Sequence, residues 1–284
     1  MIDALLSRIL ELLTPIPGVQ AVVLGGSCAR GAARPDSDYD IGIYYHEAEP
    51  FQIAEIRRAA AAHSGDSQQT VTDFYGWGPW VNGGGWIHTP AGKVDFIYRS
   101  IEHVERVIAE ARQGIIQHDY DQQPAYGFFS VIYLAETRIC QPLYDPHGII
   151  ARLKSQVTVY PPLLKEKAIA DFLWMAEFSL IHAQGYAAAG NTYTTVGALS
   201  RAAAFLAQAL FALNETYFIN DKTALQEIEA FTLKPKDYTQ RLTAALGQAG
   251  TSAAELQVAV SATRALWQDV VDLTSGAYRP AFKL

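Results

Sequence analysis

The sequence predicts an α/β (α+β) protein in two parts: a domain over residues 1–150 in which strands and helices are interspersed, and an all-helical bundle over 151–284. Three observations carry this reading. Short β-branched and aromatic runs bounded by Gly and Pro recur through the first half. They vanish near residue 150, and beyond it alanine- and leucine-rich stretches space their apolar residues by threes and fours. With 284 residues, half of them apolar and 18% charged, the chain is long enough to bury a substantial core.

The elements follow in order. Ile2, Leu5, Leu6, Ile9, Leu10 and Leu13 form one face of an amphipathic first helix, which Pro15, Pro17 and Gly18 stop. Gln20–Leu24 and Tyr39–Tyr45 read as strands around a Gly/Ser segment, and Phe51–His63 as a helix. Thr70–Tyr75 and Lys93–Tyr98 read as two further strands, with Asn82–Gly85 and Thr89–Gly92 as turns. Ser100 caps a helix carrying Ile101, Val104, Val107, Ile108 and Ala111 that ends at Gly114, and Phe128–Glu136 is an apolar helix. The boundary between the parts falls near Tyr144–Gly148 or Tyr160–Pro162, and the halves are expected to meet across a cleft. In the second part, Val196, Leu199, Ala203, Leu206, Leu210, Leu213 and Tyr217 mark one helix. Leu256, Val260, Thr263, Trp267 and Val270 mark the last, with Ser252 and Glu255 as its capping box.

A net charge of −7 opposes attraction to polyanions, so no nucleic-acid partner is expected. Two cysteines, Cys28 and Cys140, supply neither a disulfide framework nor a zinc cluster and fit a reducing, cytoplasmic compartment. No apolar run in the sequence reads as long enough to span a bilayer, so no membrane partner is expected either.

The chemistry concentrates in Gly25-Gly-Ser-Cys-Ala-Arg-Gly31 and Ser37-Asp-Tyr-Asp-Ile-Gly-Ile43. Gly25 and Gly26 permit a sharp turn and close approach of backbone amides to an anion, and Ser27 adds a hydroxyl donor, although the same tripeptide also makes an ordinary turn. Asp38 and Asp40 lie two apart, so strand alternation points both to one face. Two adjacent carboxylates repel unless a cation neutralises them, and magnesium prefers such oxygen ligands. Asp95 interrupts another apolar strand and shares a face with Lys93, Ile97 and Arg99. It is either a third member of a two-metal site or half of a cross-strand pair with a lysine.

Together, the glycine-serine turn, the acid pair and the later strand acid resemble the signature of the DNA polymerase beta-like nucleotidyltransferase superfamily. The helical second part resembles the arrangement in aminoglycoside and lincosamide nucleotidyltransferases. The resemblance implies a mixed-sheet nucleotidyltransferase domain that takes a nucleoside triphosphate, ATP by expectation, with Mg2+. Gly25, Gly26 and Ser27 would hold the terminal phosphates with help from Arg30, which could instead pair with Asp36 or Asp38. Asp38, Asp40 and Asp95 would bind metal, and Asp95 would complete the site or act on the incoming hydroxyl. The acceptor would be a hydroxylated small molecule such as a polycationic aminoglycoside. The same fold also occurs in antitoxin-type or regulatory proteins that adenylylate or bind a partner protein.

Outside the signature, Glu136 is the candidate general base, with Glu177 a second, and each is also an ordinary helix glutamate. Lys222 begins a helix and would face triphosphate across the cleft, or simply be exposed. The tryptophan-rich segment Phe74–Trp86 could stack on a base or sugar, cap the cleft, or pack a hairpin. The seven histidines show no metal-ligand spacing.

Overall fold

Strand alternation in the first part builds a sheet with one apolar and one chemically active face. The computed structural model describes residues 4–34, 37–64, 70–90 and 92–282, so Ile2, Asp36 and the turn residue Ala91 lie outside the described residues. The chain divides into two compact units. The first comprises Met1–Glu110, His118–Gln122 and Gly127–Val159; the second comprises Ala111–Gln117, Gln123–Tyr126 and Tyr160–Leu284.

The first unit runs α1 (Ala4–Leu13), β1 (Ala21–Leu24), α2 (Gly26–Ala29), β2 (Tyr39–Tyr45), α3 (Ile53–Ser64), β3 (Thr70–Val71), β4 (Gly84–Thr89) and β5 (Gly92–Ser100). Most of α4 (Ile101–Arg112), the short strands β6 (His118–Asp119) and β7 (Phe128–Phe129), α5 (Val131–Ile139), β8 (Gln141–Tyr144) and α6 (Ile149–Gln156) complete it. Six strands form one sheet in the order β3-β4-β5-β2-β1-β8. All neighbours are antiparallel except β2 and β5, which run parallel and place Asp40 beside Asp95. The sheet is therefore mixed, and the α/β class read from the sequence stands.

Alternation sorts the faces. Ile41, Ile43 and Tyr45 of β2 and Val94, Phe96 and Tyr98 of β5 join Leu6, Ile9 and Leu13 of α1 and Ile56, Ala59 and Ala60 of α3 in one core. Tyr45, Phe51, Phe74 and Tyr98 interlock there, their ring centroids 4.6 to 5.5 Å apart. The opposite face carries Asp40, Gly42 and Tyr44 on β2 and Asp95, Ile97 and Arg99 on β5.

Three expectations need correction. The strand foreseen over Thr70–Tyr75 ends at Val71, because Gly76 N–H and Gly78 N–H bond back to Asp73 and Tyr75 and turn the chain. Asn82–Gly85 is not a turn: Gly84 and Gly85 open β4. At Gly84 an added Cβ would stand 1.8 Å from the Phe96 carbonyl oxygen, so glycine marks a close backbone approach there. The apolar helix foreseen over Phe128–Glu136 begins only at Val131, since Phe128 and Phe129 pair with Asp119 and His118.

The second unit holds α7 (Pro162–Ala188), α8 (Thr192–Leu213), α9 (Asp221–Glu229), α10 (Tyr238–Gly247) and α11 (Ala253–Leu273). Helix α11 carries the foreseen capping box, with Ser252 and Glu255 each accepting from the other's backbone amide. Helix α8 stops short of Tyr217, at the cap Asn214. By length and composition α8 is apolar enough to cross a membrane, with a mean hydropathy of 1.6 in its most apolar window, which corrects the expectation of no such run. Yet 67% of that window is buried inside the protein. Glu177 of α7 is fully buried and accepts from the Tyr278 hydroxyl and the Ala281 and Phe282 amides. Its lone pairs fasten the C-terminal segment, an arrangement unlike that of an available base.

Candidate active site

The turn between β1 and β2 is built around one carboxylate. Gly25 N–H donates to the Asp40 carbonyl at 2.8 Å, which continues the β1–β2 ladder by one bond and leaves that amide committed. Gly25 is extended (φ −115°), whereas Gly26 has φ +58°, a left-handed conformation that favours glycine. A Cβ on Gly26 would stand 1.7 Å from Asp40 Oδ2, so the carboxylate lies in a cradle that only glycine leaves open. The first-turn amides of Gly26 and Ser27 have no intrahelical acceptor, as at every helix start. The expectation that Gly25 contributes its own amide to an anion is corrected, and the available donors begin one residue later.

Asp95 is the direct register partner of Asp40 across the parallel β5–β2 pair, which puts the two side chains on one face about 5 Å apart at Cα. Both are half-buried. Asp38 lies one residue before β2 begins, where no ladder bond enforces alternation; its carbonyl accepts from Cys28 Sγ at 3.5 Å. Just upstream, Arg34 N–H donates to Ser37 Oγ and Ser37 N–H to the Arg34 carbonyl. Among the described residues no group of three or more His, Cys, Asp or Glu side chains stands close enough to hold a metal ion. The ladder pairs Asp40 with Asp95, and Asp38 lies one residue upstream of β2. The donors that do meet, two carboxylates beside a glycine cradle, are of the oxygen type that a hard divalent cation takes.

Arg30 forms the C-cap of α2, one turn beyond the glycines. Lys222 sits in the first turn of α9, in the second unit, behind the Asn220 cap.

Glu136 is occupied. Its two oxygens accept from Arg99 Nε and Nη2, both at 2.9 Å, and Arg99 Nη1 donates to the Val81 and Tyr98 carbonyls at 3.0 Å each. Arg99 is only 5% exposed and lies over the Tyr133 ring, 5.1 Å from its centroid. Burial works against the guanidinium charge, but Glu136 and the neighbouring tyrosines outweigh it and raise its pKa, so Arg99 stays charged. Both carboxylate oxygens of Glu136 are thus engaged by one guanidinium. Glu136 ties α5 to β5 and, through Val81, to the tryptophan-rich segment.

His103 packs under the same cluster, its ring stacked on Tyr133 and edge-on to Trp80, with Nε2 buried and unpartnered. Burial, with help from Arg106 and Arg99, pushes its pKa down to about 4. The unfolded chain binds this proton near pH 6.5 and the folded protein does not, so stability is full above that pH and falls as the pH drops towards 4. A depression of this size corresponds to ~3 kcal/mol. Urea melts at pH 7 and pH 4.5 are expected to show this loss in the parent, and His103→Phe is expected to flatten it.

Residues 4–74 match the family model described as a nucleotidyltransferase domain. Among solved structures, a nucleotidyltransferase-like protein from Exiguobacterium sibiricum is similar at 10% identity with a TM-score of 0.48, over 95% of this chain and 76% of that one. The search of curated proteins gave no match.

Proposed function

We propose that this chain, whose residues 4–74 match a nucleotidyltransferase domain, transfers a nucleoside monophosphate from a nucleoside triphosphate, ATP by preference, to a hydroxyl of a small molecule. The observation that supports this best is the Asp40–Asp95 register pair beside the Gly26 cradle. Asp40 and Asp95, with Asp38 upstream, are the residues that would hold Mg2+. When bound, the cation neutralises phosphate charge at the reacting centre. The Gly26 and Ser27 amides and the Ser27 hydroxyl donate to the terminal phosphates, and Arg30 adds positive charge one turn later. The bond from the acceptor oxygen to the α-phosphorus forms as the bond to the bridging oxygen of pyrophosphate breaks. Asp95 accepts the hydroxyl proton.

Positioning and charge neutralisation supply most of the rate in such transfers. The net charge of −7 suits a cationic acceptor better than a nucleic acid. Two free cysteines fit a cytoplasmic setting. Incubation with Mg2+, each labelled triphosphate and a panel of hydroxylated antibiotics is expected to release pyrophosphate only when an acceptor is present. Absence of triphosphate binding would end this reading, and labelling of a copurified protein in place of the small molecules would redirect it to the antitoxin-type alternative.

A further inference from the structure

The active face continues past Asp95 to a pair of tryptophans. Trp86 on β4 is the register partner of Asp95, so it projects from the same face, and it is 50% exposed. Its ring stacks on Trp77, with centroids 5.0 Å apart at 24°. Trp77 lies over Gly84, where an added Cβ would come within 2.7 Å of the indole. The segment that carries Trp77 is braced. Trp77 N–H donates to the Asn82 carbonyl at 2.7 Å, and Gln122 donates to the Trp77 carbonyl and accepts from the Trp80 and Val81 amides. These bonds hold the Trp77 segment against Gln122.

Sheet order then assigns the support a side. Across the active face the sequence of features is glycine turn (end of β1), Asp40 (β2), Asp95 (β5) and Trp86 (β4), three strand spacings or about 14 Å in all. In phosphoryl transfer the attacking and leaving oxygens lie roughly in line through phosphorus. A leaving pyrophosphate gripped at the glycine turn therefore requires the attacking hydroxyl to enter from the opposite flank, the flank of Asp95 and Trp86. A half-exposed indole braced from behind offers a flat apolar surface with a negative face, suited to a ring and to a cationic substituent on it.

We propose that the Trp86–Trp77 pair is the acceptor platform, taking the flat face of a hydroxyl-bearing ring and presenting that hydroxyl on the Asp95 side of the α-phosphorus. This rests on the transfer reading above for its direction of attack. The test is equilibrium binding, by calorimetry and tryptophan fluorescence, of kanamycin, streptomycin, lincomycin and magnesium ATP to the parent, Trp86→Ala and Trp86→Phe proteins. Trp86→Ala is expected to weaken the ring-bearing probes by about 10-fold or more, with Trp86→Phe recovering most of it and ATP affinity unchanged. Weakened ATP binding would place the base on Trp86 and overturn the proposal. Unchanged probe binding, or no probe bound by the parent, would also overturn it. Loss of the transfer reading is separately visible as absent ATP binding while the probes still bind through Trp86.

Discussion

Asp40→Asn is expected to melt like the parent and to lose nucleotidyl transfer by about 10²–10³-fold. Asparagine keeps the shape that fits beside Gly26 and removes only the charge that a bound cation and the triphosphate would feel. Gly26→Ala tests the same contact from the other side. It keeps the charge, but its Cβ would stand 1.7 Å from Oδ2 at a φ of +58°, so the carboxylate must move and the turn is strained. Both variants are expected to lose turnover, measured as acceptor-dependent pyrophosphate release, and only Gly26→Ala is expected to lose stability as well. Full activity in either would remove Asp40 from the chemistry.

Glu136→Ala is the variant expected to unfold most readily. It leaves the Arg99 guanidinium charged and buried without its partner, a change that costs about 3–5 kcal/mol when a buried pair is broken from one side. Arg99→Met combined with Glu136→Leu removes both charges and is expected to recover most of that loss. Urea denaturation of the two proteins reads the difference directly. A catalytic base would behave in the opposite way, with Glu136→Ala stable and inactive and the double variant no better.

The acidic strand was legible because its signal is local. Alternating β-branched and aromatic residues give β2 its observed bounds, Tyr39–Tyr45, and the same alternation on β5 brings Asp95 to the face of Asp40. The capping box of α11 was equally local. What could not be read depends on distant partners. Gly84 resembles a turn residue until the Phe96 carbonyl and Trp77 are packed against it. Glu136 and Glu177 are ordinary helix glutamates in the sequence; what each does is set by Arg99 in one case and by the C-terminal amides in the other. Trp86 stood at the end of a conspicuous aromatic run, but only the β4–β5 register sets it beside an acid. Asp38 was placed by extending alternation one residue beyond the strand, where the ladder no longer enforces it.

The parallel β2–β5 pairing has a consequence for how the acid rung forms. Parallel neighbours cannot be joined by a tight hairpin, so the rung that carries both acids closes only after the whole crossover through α3, β3 and β4 has been laid down. The stretch matched to the domain family, residues 4–74, ends before β5. A fragment cut to that match would keep the glycine turn and Asp40 and lack the rung. Pairing of β2 with β5 is a non-local contact, of the kind that slows folding.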